Sequence, residues 1–130
     1  MKKAKEGFTR LTKAETEIMN ILWELNEPAS VKQVMEHCPE PKPAYNTVGT
    51  FLSILHKKGF VGQQRKENEG KAMFYKPLLS KDEYTQQVMD DVKDNFFSGS
   101  AQMLVRFFCR KEKLSVDEVR ELLQLIEKEE

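Results

Sequence analysis

The stretch AYNTVGTFLSILHKKGFVGQQRKENEGKAMFY, residues 44–75, decides the fold. Its first half has helical spacing: Val48, Phe51, Leu52 and Leu55 recur at i, i+3, i+4 and i+7, one buried face. At about 100° per residue the opposite face carries Asn46, Thr50, Ser53 and Lys57. Gly59 is placed as the C′ residue that ends this helix. The period then changes to that of two short strands, residues 60–65 and 71–76, around a Glu67-Asn68-Glu69-Gly70 turn. No Asp or Glu occurs in residues 41–66, although 32% of the chain is charged, and Lys42, Lys57, Lys58, Arg65 and Lys66 fall inside that window. An ordinary solvated helix mixes both signs of charge. A carboxylate-free face with short polar side chains at its centre suits the DNA major groove.

Upstream, two capping boxes mark helix starts. Thr12 with Glu15 opens a helix to about Leu25, bearing Ile18, Ile21, Leu22 and Leu25 with Trp23 at its edge. Ser30 with Gln33 opens a shorter one with Val31, Val34, Met35 and Cys38 inward. Pro39, Pro41 and Pro43 bias their predecessors away from the α region and form the turn before the third helix. Three helices and a hairpin make a winged helix-turn-helix, so the fold class is mostly α with a small β-hairpin (α+β).

Downstream, Ser80 with Glu83 caps a helix to about Phe97, with Tyr84, Val88, Val92 and Phe96 along one side. Ser98-Gly99-Ser100 breaks it, and a very apolar helix follows with Met103, Leu104, Val105, Phe107 and Phe108. Ser115 with Glu118 caps the last, which bears Val119, Leu122, Leu123 and Ile126. A segment of about 50 residues this apolar is rarely stable alone, so a second copy is the expected cover. The division expected is a DNA-binding domain at 1–78 and a helical dimerisation domain at 79–130. Charge follows it: the 130-residue chain is neutral, but residues 1–78 hold 13 basic and 9 acidic side chains, net +4, and residues 79–130 hold 8 and 12, net −4.

Of the polar residues on the third helix, Asn46 is the candidate for reading adenine through N6 and N7. Thr50 and Ser53 share its face, and Tyr45 and Thr47, near the helix start, are assigned to phosphates. Gly49 costs about 1 kcal/mol against alanine inside a helix, which either close approach to DNA or tight contact with helix two would explain. Lys57, Lys58, Arg65 and Lys66 suit phosphates, although Lys58 also complements the helix dipole. These four cations on each of two copies give eight contacts and a log–log salt slope near about −7. Trp23, Phe74 and Tyr75 are expected in the core.

Cys38 and Cys109 form no ligand spacing, and His37 beside Cys38 is a weak metal signal, so no metal or cofactor is expected. No nucleophile elbow, phosphate loop or zinc-protease motif occurs, which argues against an enzyme. With no long apolar run or signal-like start, the expected location is cytoplasmic, without membrane insertion.

Leu11-Thr12-Lys13-Ala14-Glu15-Thr16-Glu17-Ile18-Met19, Asn46-Thr47-Val48-Gly49-Thr50-Phe51-Leu52 with Leu55-His56-Lys57-Lys58-Gly59-Phe60, and Leu114-Ser115-Val116-Asp117-Glu118-Val119 resemble the penicillinase-repressor family (the BlaI/MecI/CopY group). The resemblance implies a repressor that binds a palindromic operator in double-stranded DNA as a homodimer through its C-terminal helices. It also implies a membrane sensor-protease that responds to β-lactam and cleaves the repressor. Two positions depart from that pattern: Ile54 stands where an arginine is frequent, and Phe107 stands where the cleaved bond has asparagine, within Arg106-Phe107-Phe108. Copper sensing is not expected, because the cysteine cluster of that branch is missing. Two other functions stay open: a winged helix serving protein assembly without DNA, and direct small-molecule sensing in a cavity lined by Tyr84, Phe96, Phe97 and Phe107.

Overall fold

The computed structural model describes residues 8–68 and 70–129. Glu69 of the expected turn and the charged start, residues 1–7, lie outside the described residues. The elements run α1 (Lys13–Leu25), β1 (Ala29–Ser30), α2 (Val31–Glu36), α3 (Tyr45–Lys57), β2 (Val61–Arg65), β3 (Met73–Pro77), α4 (Lys81–Phe96), α5 (Ala101–Lys111) and α6 (Val116–Glu129). Two compact units divide the chain, one through Val88 and one from Met89.

The first unit is a winged helix. Each start that the capping pattern marks is capped: Glu15 N–H donates to Thr12 Oγ1 and Thr12 N–H returns a bond to Glu15 Oε1, and Ser30 with Gln33 repeats the exchange. At the end of α3, Gly59 takes φ +85°. Gly59 N–H donates to the His56 carbonyl and Phe60 N–H to that of Leu55, the paired bonds of a Schellman motif. That motif turns the chain directly into β2. The sheet is antiparallel with order β1-β3-β2, Ala29 opposite Tyr75 and Gln63 opposite Tyr75 on its other edge. β1 was not expected: two residues are too short to show a period of two. Met19, Leu22, Val34, Val48, Leu52, Leu55 and Val61 are fully buried between the helices and sheet. Phe74 and Tyr75 are buried as expected, while Trp23 is half-buried and donates its Nε1–H to the Leu79 carbonyl at 3.0 Å.

The compact units divide at 88/89, ten residues after the expected domain boundary, and Tyr84 lies within the first. Its ring lies 5.8 Å from that of Phe60, edge-on, and 6.1 Å from those of Phe8 and Trp23. Its hydroxyl accepts the Leu11 N–H at 2.8 Å. Tyr84 is therefore a core residue of the first unit, not part of a dimerisation face, and Val88 packs half-buried against the same cluster.

The second unit is different in kind. Ser100 caps α5 and Ser115 with Glu118 caps α6. No residue of either helix is buried. Met103, Val105, Phe107, Phe108, Leu122, Leu123 and Ile126 are all roughly half exposed, and Phe96 is 76% exposed.

Candidate nucleic-acid interface

The two faces of α3 separate as the spacing requires. Val48, Leu52 and Leu55 have no exposure, and Asn46, Thr50, Ser53 and Lys57 point outward. The outward residues line a shallow concavity of about 570 Å³ together with Tyr45, Gly49, Ile54 and Tyr75. Thr50 Oγ1–H donates to the Asn46 carbonyl at 2.9 Å, which fixes the hydroxyl against the helix. Asn46, Ser53 and Lys57 make no side-chain hydrogen bond or ion pair with the described residues. A Cβ built on Gly49 meets nothing within 4 Å, so tight contact with α2 does not explain the glycine.

The start of α3 adds a feature that the spacing alone does not carry. Ala44 is its N-cap and offers no side-chain hydrogen bond, and the first turn holds no acid. The N–H groups and positive dipole end beside Tyr45 and Thr47, both exposed, therefore remain available to an anion.

The four cations are not equivalent. Lys57 is exposed and unpaired among the described residues. Lys58 is not: its Nζ donates to Glu15 Oε2 at 2.9 Å and Oε1 at 3.1 Å, an intramolecular pair to a nearly buried carboxylate. Lys58 is thus held by the protein itself, because an unpaired Glu15 would be a buried, uncompensated charge. Burial pushes the Glu15 carboxyl up, but the Thr12 N–H bond and the Lys58 hydrogen bond and charge outweigh it and hold the group below the ordinary glutamate value. In the hairpin, Arg65 stays exposed while donating to the Lys71 carbonyl at 2.9 Å. Lys66 is half-buried and lies 4.5 Å from the centre of the Phe74 ring, a cation–π contact.

His56 Nδ1 sits 3.1 Å from the Val61 carbonyl, so that nitrogen carries the proton. His37 Nδ1 and Cys38 Sγ, just past the end of α2, both bond carbonyls of that helix, Gln33 at 2.8 Å and Val34 at 3.4 Å. Burial raises the Cys38 thiol above its ordinary value. In the second unit, Phe96, Phe97 and Phe107 border an open concavity of about 640 Å³ with Met103, Arg106 and Arg110. The fourth aromatic residue expected there, Tyr84, lies in the first unit's core instead.

Residues 11–128 match the penicillinase repressor family. The chain belongs to that family. It is 30% identical to the methicillin resistance regulatory protein MecI of Staphylococcus aureus (strain N315) over 119 residues, 91% of this chain and 94% of that protein. It is 36% identical to the transcriptional regulator BlaI of Mycobacterium tuberculosis (strain CDC 1551 / Oshkosh) over 123 residues, covering 92% and 87%. The penicillinase repressor of Bacillus licheniformis is 25% identical over 118 residues, covering 91% and 90%. Among solved structures, an organohalide-sensing RdhR transcriptional regulator aligns with TM-score 0.51 at 15% identity. That alignment covers 97% of this chain and a little under two thirds, 64%, of the regulator, and it bears on the fold alone. The penicillinase repressors are transcriptional regulators, and no helix among the described residues of this member is long and apolar enough to cross a membrane.

Proposed function

We propose that this repressor binds a two-fold symmetric site in double-stranded DNA as a homodimer, with α3 in the major groove and the β2–β3 hairpin against neighbouring phosphates. The observation that carries the reading is the outer face of α3: exposed, polar, free of carboxylates and entered through an uncapped helix start. Asn46 reads a base edge; Tyr45, Thr47, Lys57, Arg65 and Lys66 hold phosphates. Self-association is supported by the uncovered apolar faces of α5 and α6 and by their charges. α5 carries Arg106, Arg110 and Lys111 with no acid, whereas α6 carries five acids against Arg120 and Lys128. Relief of repression by a membrane sensor-protease, with cleavage at Arg106-Phe107-Phe108, is the finer part of the proposal. That segment is exposed but helical, so the cut requires α5 to open locally.

Fluorescence anisotropy with short labelled duplexes tests the DNA reading. With Lys58 withdrawn, six cations per dimer remain, and the log–log salt slope is expected near about −5 rather than −7. A slope shallower than about −2 would remove the hairpin and α3 cations from the interface. Asn46→Ala is expected to lose about 1–3 kcal/mol at one base pair of the preferred site and little on random duplex. Equal losses on both would make Asn46 something other than a base reader.

Gly49→Ala is expected to move stability and binding in opposite directions. The added methyl meets no protein atom within 4 Å and improves helix propensity, so the melting temperature rises by a few degrees, for about 1 kcal/mol. The same methyl stands between Asn46 and Ser53 on the groove-facing side, so affinity for the preferred duplex falls. A variant that melts higher and binds as well as the parent would show that DNA does not approach α3 at Gly49.

A further inference from the structure

Lys57 and Lys58 are adjacent, share a charge and stand at the end of the same helix, yet the fold treats them oppositely. Lys58 is the C-cap of α3, and its ammonium is held by both oxygens of Glu15, 43 positions earlier in the first turn of α1. Glu15 is 3% exposed and also accepts the Thr12 N–H at 2.9 Å, so one carboxylate closes the start of α1 and grips the end of α3. The other end of α3 is reached through the proline-rich connector, residues 39–43.

We propose that Glu15 and Lys58 are positioning residues for DNA recognition: the pair pins the C-terminal end of α3 so that its polar face meets the groove in one register. This inference rests on the DNA-binding reading above. The geometry gives the pair leverage. α3 is about 20 Å long at about 1.5 Å per residue, and a tilt of about 5° about one end displaces the other by nearly 2 Å. A hydrogen bond to a base edge survives only a few tenths of an ångström of such movement. Lys58, held by Glu15, makes no phosphate contact of its own, so its influence on binding passes through the orientation of α3.

The test uses the full chain, a random-sequence duplex and a duplex enriched by the parent protein from a randomised pool. Affinity is measured between about 50 and 200 mM KCl. Lys57→Gln is expected to make the salt slope shallower by about 0.9 for each bound protomer. Lys58→Gln and Glu15→Gln are expected to keep the parent slope but to reduce the preference for the enriched over the random duplex about tenfold, a 1.4 kcal/mol loss of discrimination. Lys58→Arg, which keeps a cation within reach of Glu15, is expected to retain the preference. Lys58→Gln leaves the buried Glu15 carboxylate unpaired, so the double variant Glu15→Gln/Lys58→Gln, which removes both charges at once, carries the same two readouts if either single variant fails to fold. A shallower slope for Lys58→Gln, equal to that of Lys57→Gln, would overturn the inference by making Lys58 a phosphate ligand. So would an unchanged preference in Lys58→Gln, the result expected if the pair only adds stability and both affinities fall together. Failure of the parent to bind either duplex would remove the DNA reading and this inference with it.

Discussion

Leu123→Asp is expected to convert a dimer into single chains and to weaken binding to the preferred duplex by about 10²- to 10⁴-fold. The effect is large because, in the proposed complex, two half-sites on one duplex are bound by two linked modules, and the second contact benefits from the effective concentration that the first creates. Leu123 is 54% exposed on a helix with no buried residue. None of the first unit's core residues comes from α6, so the substitution leaves the winged helix intact. In a closed apolar interface the same carboxylate is desolvated without a partner, at a cost of several kcal/mol. Sedimentation should therefore give the mass of one chain, while binding to random duplex persists with about half the parent's salt slope. A variant still sedimenting as two chains would remove the α6 face from the interface and leave the exposed leucines without the cover proposed here.

What could be read before the structure follows from the range of each signal. Helical periodicity, capping boxes and a C′ glycine are written within about a turn or two of the residues they govern. α1, α2 and α3 and their ends were therefore legible, as were the outward positions of Asn46, Thr50 and Ser53. The misplacements are long-range. Tyr84 continues the i, i+4 row of Val88, Val92 and Phe96, and periodicity shows that a face is apolar without showing what covers it. Its partners, Phe8, Leu11, Trp23 and Phe60, lie up to 76 positions away. The pairing of Lys58 was illegible for the same reason, since Glu15 already had a local use as a capping-box carboxylate. The uncapped start of α3 was legible in Ala44. It gained meaning once every other described helix start longer than a turn or two showed a serine or threonine bond, leaving α3 the exception among them.

Leu52 and Ser53 provide the second large effect, because one peptide bond separates the inside of the protein from its proposed ligand. Leu52→Ala is expected to cost about 2–5 kcal/mol, the usual range for emptying a fully buried leucine site. Leu52 has no exposure and sits between Val48 and Leu55, which have none either, so little is free to collapse into the space. Against a total stability of about 5–15 kcal/mol, the loss should lower the melting temperature by about 8–20 °C. Below that temperature the folded variant keeps every cation and every outward polar group, so its salt slope should match the parent's. Ser53→Ala is expected to do the reverse: it removes an exposed hydroxyl with no partner among the described residues, leaves melting within about 0.5 kcal/mol of the parent, and changes affinity for the preferred duplex. Calorimetry and anisotropy on the two variants separate the contributions that α3 makes through its two sides. If Leu52→Ala melts with the parent, or Ser53→Ala melts far below it, the helix is rotated from the orientation that places Asn46 toward the groove.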